Sequence, residues 1–254
     1  MEKFKENENS HIKHVIGIVS GKGGVGKSFV TTAIASELTR QGKKVAILDA
    51  DITGPSIPKG FGIKDKVFSN GSEIMPKVTD AGIKIISVNL ILGDPTQPVL
   101  WRGPIIGQGI QQFFKDVRWG EIDYMLVDMP PGTGDIALTI YQSLPIDGVV
   151  IVSTPQSLVE MIVEKSINMS KLMGIKVLSL VENMSYFKCD QCGKTHYIFG
   201  ESKVEELAKK YKIPCFSKLP MDQTFRENID AGYGDEIYVE EIKNTVEEIK
   251  KLEN

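Results

Sequence analysis

The sequence predicts an α/β fold, with a mainly parallel sheet carrying helices on both faces, and three observations carry that prediction. Short β-branched runs alternate with helical segments along 254 residues, a pattern that right-handed crossovers turn into a parallel sheet. One such run, residues 15–19, feeds the glycine-rich loop Ser20-Gly21-Lys22-Gly23-Gly24-Val25-Gly26-Lys27-Ser28, which opens a helical segment over 29–39. Finally, Asp49-Ala50-Asp51 and Asp128 each follow an apolar run, at the carboxyl ends of strands where ligands of such sheets lie.

Taken in order, the elements justify themselves as follows. Residues 1–13 contain almost nothing apolar to bury and read as a disordered lead-in, so a single domain is expected over 14–254. Strands are expected at 15–19, 44–48, 83–88, 124–127, 148–152, 176–181 and 214–217, each short, β-branched and bounded by turn residues. Two stretches break the rhythm, 53–76, rich in Gly and Pro, and 184–200, an irregular insertion with a cysteine pair. Over 238–252, Ile242, Val246 and Ile249 recur at spacings of four and three, which marks an amphipathic helix packed on the sheet.

Composition narrows the function. With 30 basic and 33 acidic residues, the net charge of −3 gives no general attraction to nucleic acid or to an acidic membrane. No stretch reaches the apolar length of a bilayer span, and Met1 to Asn9 are polar and charged rather than a signal peptide, so the cytoplasm is the expected compartment. Three cysteines exclude a disulfide framework.

The glycine-rich loop has the chemistry of a phosphate cradle. Small residues let successive backbone N–H groups turn on one anion, and Gly23, Gly24 and Gly26 supply backbone angles and close approach that a side chain forbids. The cradle as a whole comprises Gly21, Lys22, Gly23, Gly24, Val25, Gly26, Lys27 and Ser28. Lys27 is placed to reach the outer phosphates and Ser28 to ligate magnesium, with the dipole of the following helix adding to the anion field. Lys22, ahead of the glycines, is either a second phosphate ligand or a solvated lysine. Asp51 and Asp128 suit magnesium positions, direct or through water, and Asp51 is better placed to orient an attacking water; an aspartate after a strand also serves as a helix cap or turn former. The run Pro130 to Gly134, with two prolines and two glycines, is suited to sensing the terminal phosphate.

Lys22-Gly23-Gly24-Val25-Gly26-Lys27-Ser28, Asp49-Ala50-Asp51-Ile52-Thr53-Gly54-Pro55-Ser56, Asp128-Met129-Pro130-Pro131-Gly132-Thr133-Gly134-Asp135 and Asn183-Met184-Ser185-Tyr186-Phe187 together resemble the Mrp/ApbC family over about residues 14–235. These are cytosolic iron–sulfur cluster carrier ATPases of the deviant Walker A class of P-loop NTPases, which also includes MinD, ParA and the nitrogenase iron protein. The resemblance implies a homodimer enclosing two ATP molecules with Mg2+, and transfer of a cluster to apo iron–sulfur proteins. It further implies that Lys22 reaches the phosphates held by the partner, that Asp51 orients the hydrolytic water and that Asn183 recognises adenine. Two features of relatives are missing from the sequence, an extra small domain before the loop and an N-terminal four-cysteine site, so the chain is expected to be a minimal version.

Cys189-Asp190-Gln191-Cys192 is half of a metal site, because zinc sites and iron–sulfur clusters take four protein ligands. Two chains meeting through these segments would supply four thiolates, enough for one bridging [4Fe-4S] cluster; a zinc site made the same way and a dithiol redox switch are the alternatives. Lys188 and Lys194 flank the pair and are expected to favour thiolates. Cys215 reads as a small buried hydrophobe and His196 as a loop histidine or a third ligand. The rival function is an ATP-gated positioning or partitioning switch of the MinD/ParA kind, which explains the loop and Lys22 but not the cysteines. A small-molecule kinase would need an acceptor-site motif that is not visible.

Overall fold

The computed structural model describes residues 4–51, 56–69, 73–87, 90, 103–156 and 159–253. Strand β1 (Ser10–Ser20) runs up the centre of the sheet, pairing in parallel with β7 (Gly120–Asp128) on one side and β8 (Gly148–Ser153) on the other. Beyond β7 lie β2 (Val45–Asp49), β6 (Lys84–Ser87) and the short antiparallel edge strand β5 (Lys77–Val78). Beyond β8 lies β9 (Lys176–Lys188), which also pairs in parallel with β11 (Cys215–Met221). A separate two-stranded ladder joins β3 (Phe68–Ser69) to β4 (Ile74–Met75).

The period of two in β1 builds both cores at once. Val15 and Val19 enter a cluster with Phe114, Trp119 and Ile140, beneath α3 (Gly103–Asp116), α4 (Asp135–Ser143), α5 (Val159–Leu172) and α6 (Val204–Tyr211). Ile16 and Ile18 enter the opposite cluster with Ile34, Leu38, Val246 and Ile249, beneath α1 (Lys27–Arg40) and α8 (Lys243–Lys250). Helices therefore cover both faces, as the alternation of elements predicts. Ile242, Val246 and Ile249 are all fully buried, so the apolar face of the C-terminal helix is spent on the sheet.

Three expectations need correction. The lead-in is not disordered to Lys13: β1 begins at Ser10, opposite Gly120, and the Phe4 N–H donates to the Ser143 carbonyl at 3.0 Å. Backbone pairing with β7 supplies what the side chains of this stretch lack, and composition does not report that partner. Nor is 184–200 wholly irregular, because β9 continues through Lys188 and pairs antiparallel with β10 (Thr195–His196), turning the cysteine pair into the tip of a hairpin. Within 53–76 the chain forms α2 (Ile57–Gly60), β3 and β4, while Ile52, Thr53, Gly54 and Pro55 of the second motif lie outside the described residues, as does Val88 of the third expected strand.

Candidate nucleotide site and cysteine hairpin

The loop after β1 turns through Gly24 and Gly26, whose φ angles of 77° and 82° lie in the left-handed region, and α1 starts at Lys27. A Cβ on Gly26 would sit 2.1 Å from Asn183 Nδ2, and one on Gly21 would sit 1.9 Å from Ile162 Cγ2, so close packing as well as conformation selects glycine. The loop is pinned from below by the Gly132 N–H, which donates to the Ser20 carbonyl at 2.8 Å. The Pro130–Gly134 segment thus touches the cradle directly.

Under the loop, the 6% exposed Lys27 ammonium lies 2.7 Å from Asp128 Oδ2 and 3.5 Å from Asp51 Oδ2. The contact with Asp128 is an ion pair outside hydrogen-bond geometry. Asp128 accepts bonds of 2.7 Å from Ser28 Oγ and from Thr31 Oγ1, so its buried charge is held by three side chains. Asp49 is its neighbour across β2 and β7. Burial, and then the charge of Asp128, push the Asp49 carboxyl up to about 8 against the pull of Lys27. Asp49 Oδ2 and the Ser87 hydroxyl, on adjoining strands, are both buried without a sound hydrogen bond, leaving an unused oxygen on the neighbour of Asp128. Oxygen donors of this kind suit a magnesium ion better than a softer metal.

Asn183 lies midway along β9, beside the loop. Its Nδ2 donates to the Val25 carbonyl at 3.0 Å, which ties the cradle to a cleft of about 960 Å3 lined by Phe29, Met221, Phe225 and Arg226 among others. Met184 follows with φ of 55°, a left-handed conformation costing on the order of 1 kcal/mol for a residue with a Cβ. The strain sits where the strand turns Asn183 toward the cleft. Lys22 points elsewhere: its ammonium donates to Gln156 Oε1 at 2.6 Å, on the segment after β8.

At the hairpin tip, Cys189 N–H donates to the Lys194 carbonyl at 2.9 Å and Gly193 N–H to the Cys189 carbonyl at 2.8 Å, with Gly193 at φ of 69°. This tight knuckle turns the N–H groups of Cys192 and Gln191 onto the Cys189 sulfur, and these, with the Cys192 thiol, hold its pKa below the usual thiol range. The expected cause was Lys188 and Lys194; the backbone does it instead, and Asp190 opposes it. Cys192 is exposed. His196 lies on β10 with its ring 6.5 Å from that of Phe187, and among the described residues no group of three His, Cys, Asp or Glu could hold a metal ion. Cys215 starts β11 and is half-buried rather than a fully buried hydrophobe, and burial pushes its thiol up.

The sequence profile of the NUBPL iron-transfer P-loop NTPases, within ParA, matches residues 11–253. The chain belongs to this family of P-loop NTPases. It is 46% identical over 238 residues to the iron–sulfur cluster carrier protein of Clostridium perfringens, spanning 91% of this chain and 84% of that one. It is 48% identical over 232 residues to the iron–sulfur cluster carrier protein of Methanocaldococcus jannaschii, spanning 91% and 80%. Among solved structures, the nucleotide-binding protein of Archaeoglobus fulgidus in complex with ADP superimposes with a TM-score of 0.80 at 45% identity, over 89% of this chain and 88% of that one. The cell division ATPase MinD of Pyrococcus furiosus shares the fold, with a TM-score of 0.67 at 21% identity over 94% and 99%.

For this member of the NUBPL iron-transfer P-loop NTPases, the structure gathers Lys27, Ser28, Asp51 and Asp128 into one cluster and sets Asn183 against Val25. Cys189 and Cys192 stand apart on their hairpin. Sequence reasoning missed Thr31 and Gln156. Thr31 lies three residues after Ser28 on one helix face, a spacing that was readable. Gln156 gave no local signal, since only the tertiary fold brings it to Lys22. Among the described residues no helix is long and apolar enough to cross a membrane.

Proposed function

We propose that the chain is an ATP-binding and ATP-hydrolysing iron–sulfur cluster carrier that acts as a homodimer in the cytoplasm. The observation that carries this reading is a thiolate-stabilising knuckle, with two cysteines and no third ligand among the described residues, built onto a P-loop NTPase. The curated relatives' names as cluster carriers support it, and so does ADP in the Archaeoglobus fulgidus relative. The cluster is cargo: Cys189 and Cys192 of each protomer supply four thiolates to one [4Fe-4S] unit between two chains, for passage to apo iron–sulfur proteins. Neither nucleic acid nor membrane is a partner in this reading; the apolar face that α8 would need for a bilayer is already buried.

For hydrolysis, Gly21 to Ser28 cradle the phosphates, Lys27 leaves Asp128 for the outer phosphate oxygens, and Asn183 faces adenine with the amide oxygen it does not use on Val25. Magnesium, when bound, would neutralise phosphate charge, with Ser28 as a direct ligand and Asp51 and Asp128 acting directly or through water. Asp51 accepts a hydrogen bond from water and aims it at the terminal phosphorus. A water oxygen–phosphorus bond forms, the bond to the bridging oxygen breaks, and ADP and phosphate result. Lys22 from the partner stabilises the charge on the transferred group. Anaerobic reconstitution with iron and sulfide, followed by visible absorption and native mass, tests this: one cluster per two chains is expected, and a monomer without iron under ATP would refute it.

A further inference from the structure

A smaller cavity of about 390 Å3 opens at the carboxyl end of β8 and beside the middle of β9, lined by Thr154, Pro155, Gln156, Glu182, Gly200 and Leu207 among others. Its roof is the short strap after β8. Gln156 N–H closes the strap by donating to the Thr154 carbonyl at 2.8 Å, and Gln156 Oε1 receives the Lys22 ammonium at 2.6 Å. The far side of the same strap lies across the cavity from the turn that follows the cysteine hairpin. Gly200 has φ of 98°, a Cβ on it would lie 3.6 Å from the Pro155 carbonyl oxygen, and its N–H donates to the Tyr197 carbonyl at 3.1 Å, directly after β10. Thr154 Oγ1 is buried without a hydrogen-bond partner, so among the described residues the side-chain bond that holds the strap is the one between Gln156 and Lys22.

We propose that Gln156 is a positioning residue that holds Lys22 within its own chain, and that the strap Thr154–Gln156 carries the release of Lys22 to the base of the cysteine hairpin. The inference rests on the ATP-gated carrier reading above. When Lys22 turns to a partner's phosphates, Gln156 loses its donor and the strap is free to settle into the cavity beneath it. The Pro155 carbonyl then moves relative to Gly200, and the turn that orients β10 and the thiolates moves with it. Packed contacts with two arrangements transmit in this way, and the effect must be reciprocal: cargo on the hairpin changes nucleotide affinity.

The test uses the apo full-length chain, alkylating Cys189 and Cys192 with iodoacetamide in the presence and absence of saturating Mg·ATPγS and reading each site by peptide mass. Wild type is expected to change its labelling rates by about fivefold or more on nucleotide binding. Gln156→Ala should lose that response at its own saturating nucleotide concentration, whereas Gln156→Glu, which keeps an acceptor for Lys22, should retain it. If Gln156→Ala responds like wild type, simple shielding at an interface explains the change and the strap is not the link. Iron and sulfide content after reconstitution reads the carrier function separately: cluster without a nucleotide response overturns the strap alone, and a nucleotide response without cluster overturns the carrier reading alone.

Discussion

Lys27, opening α1 beyond the glycine loop, and Cys189, at the hairpin tip beyond β9, are treated by the chain in opposite ways. Lys27 is buried against Asp128 and Asp51, with Ser28 and Thr31 completing the shell, so its charge is balanced inside one protomer. Cys189 is partly exposed beside the exposed Cys192, and its thiolate is favoured by two backbone N–H groups, with no cation among the described residues contributing. The first region is balanced in charge within one protomer, and the second is not. A buried, balanced unit couples its chemistry to folding stability. An exposed, uncompensated one should cost the fold little when changed.

That contrast breaks most clearly at Lys27. Lys27→Ala leaves Asp128 buried without its cation and should cost about 3–5 kcal/mol of stability, read by urea unfolding, as well as abolishing binding of a fluorescent ATP analogue. Gly26→Ala should follow at about 2–3 kcal/mol, because a side chain there is strained at φ of 82° and displaces Asn183 from Val25; unchanged stability would mean that the loop is less tightly clamped than its contacts imply. Asp49 sharpens the comparison through pH. Its carboxyl keeps its proton in the folded state up to about 8 but ordinarily loses it near 3.8, so the folded state binds more protons between those values and stability falls as pH rises through them. Asp49→Asn removes that loss and should stabilise the nucleotide-free protein by about 1 kcal/mol at alkaline pH, with a smaller gain under mild acid, as thermal melts across pH would register.

The smallest effect on the fold belongs to the hairpin. Cys189→Ser with Cys192→Ser should leave stability within about 0.5 kcal/mol of wild type while iron retention falls to background. A large loss of stability there would make the hairpin a structural element rather than a cargo site. Cys189 should also alkylate at lower pH than Cys215, since the first thiol is held down by backbone donors and the second is raised by burial.

Much of this was legible in the residues. The alternation of apolar runs gave the parallel sheet, the order of strand, glycine loop and helix gave the cradle, and the spacing of Ile242, Val246 and Ile249 gave the packed face of α8, because each of these is a local period or a local backbone demand. The positions of Asp51 and Asp128 after strand ends were equally readable. The cysteine knuckle was legible as a pair, but its thiolate chemistry was assigned to neighbouring lysines when the backbone supplies it.

What tertiary structure alone decided is every contact between residues distant in the chain. Ser10 joining the sheet through Gly120, Asn183 clamping Val25, the charge of Asp128 raising Asp49, and Gln156 receiving Lys22 all depend on which strands lie side by side. Periodicity and motif spacing fix what a segment does with its own backbone. The free energy of a hydrogen bond or a buried charge depends on what the rest of the chain brings within a few ångströms, and that information has no period in the sequence.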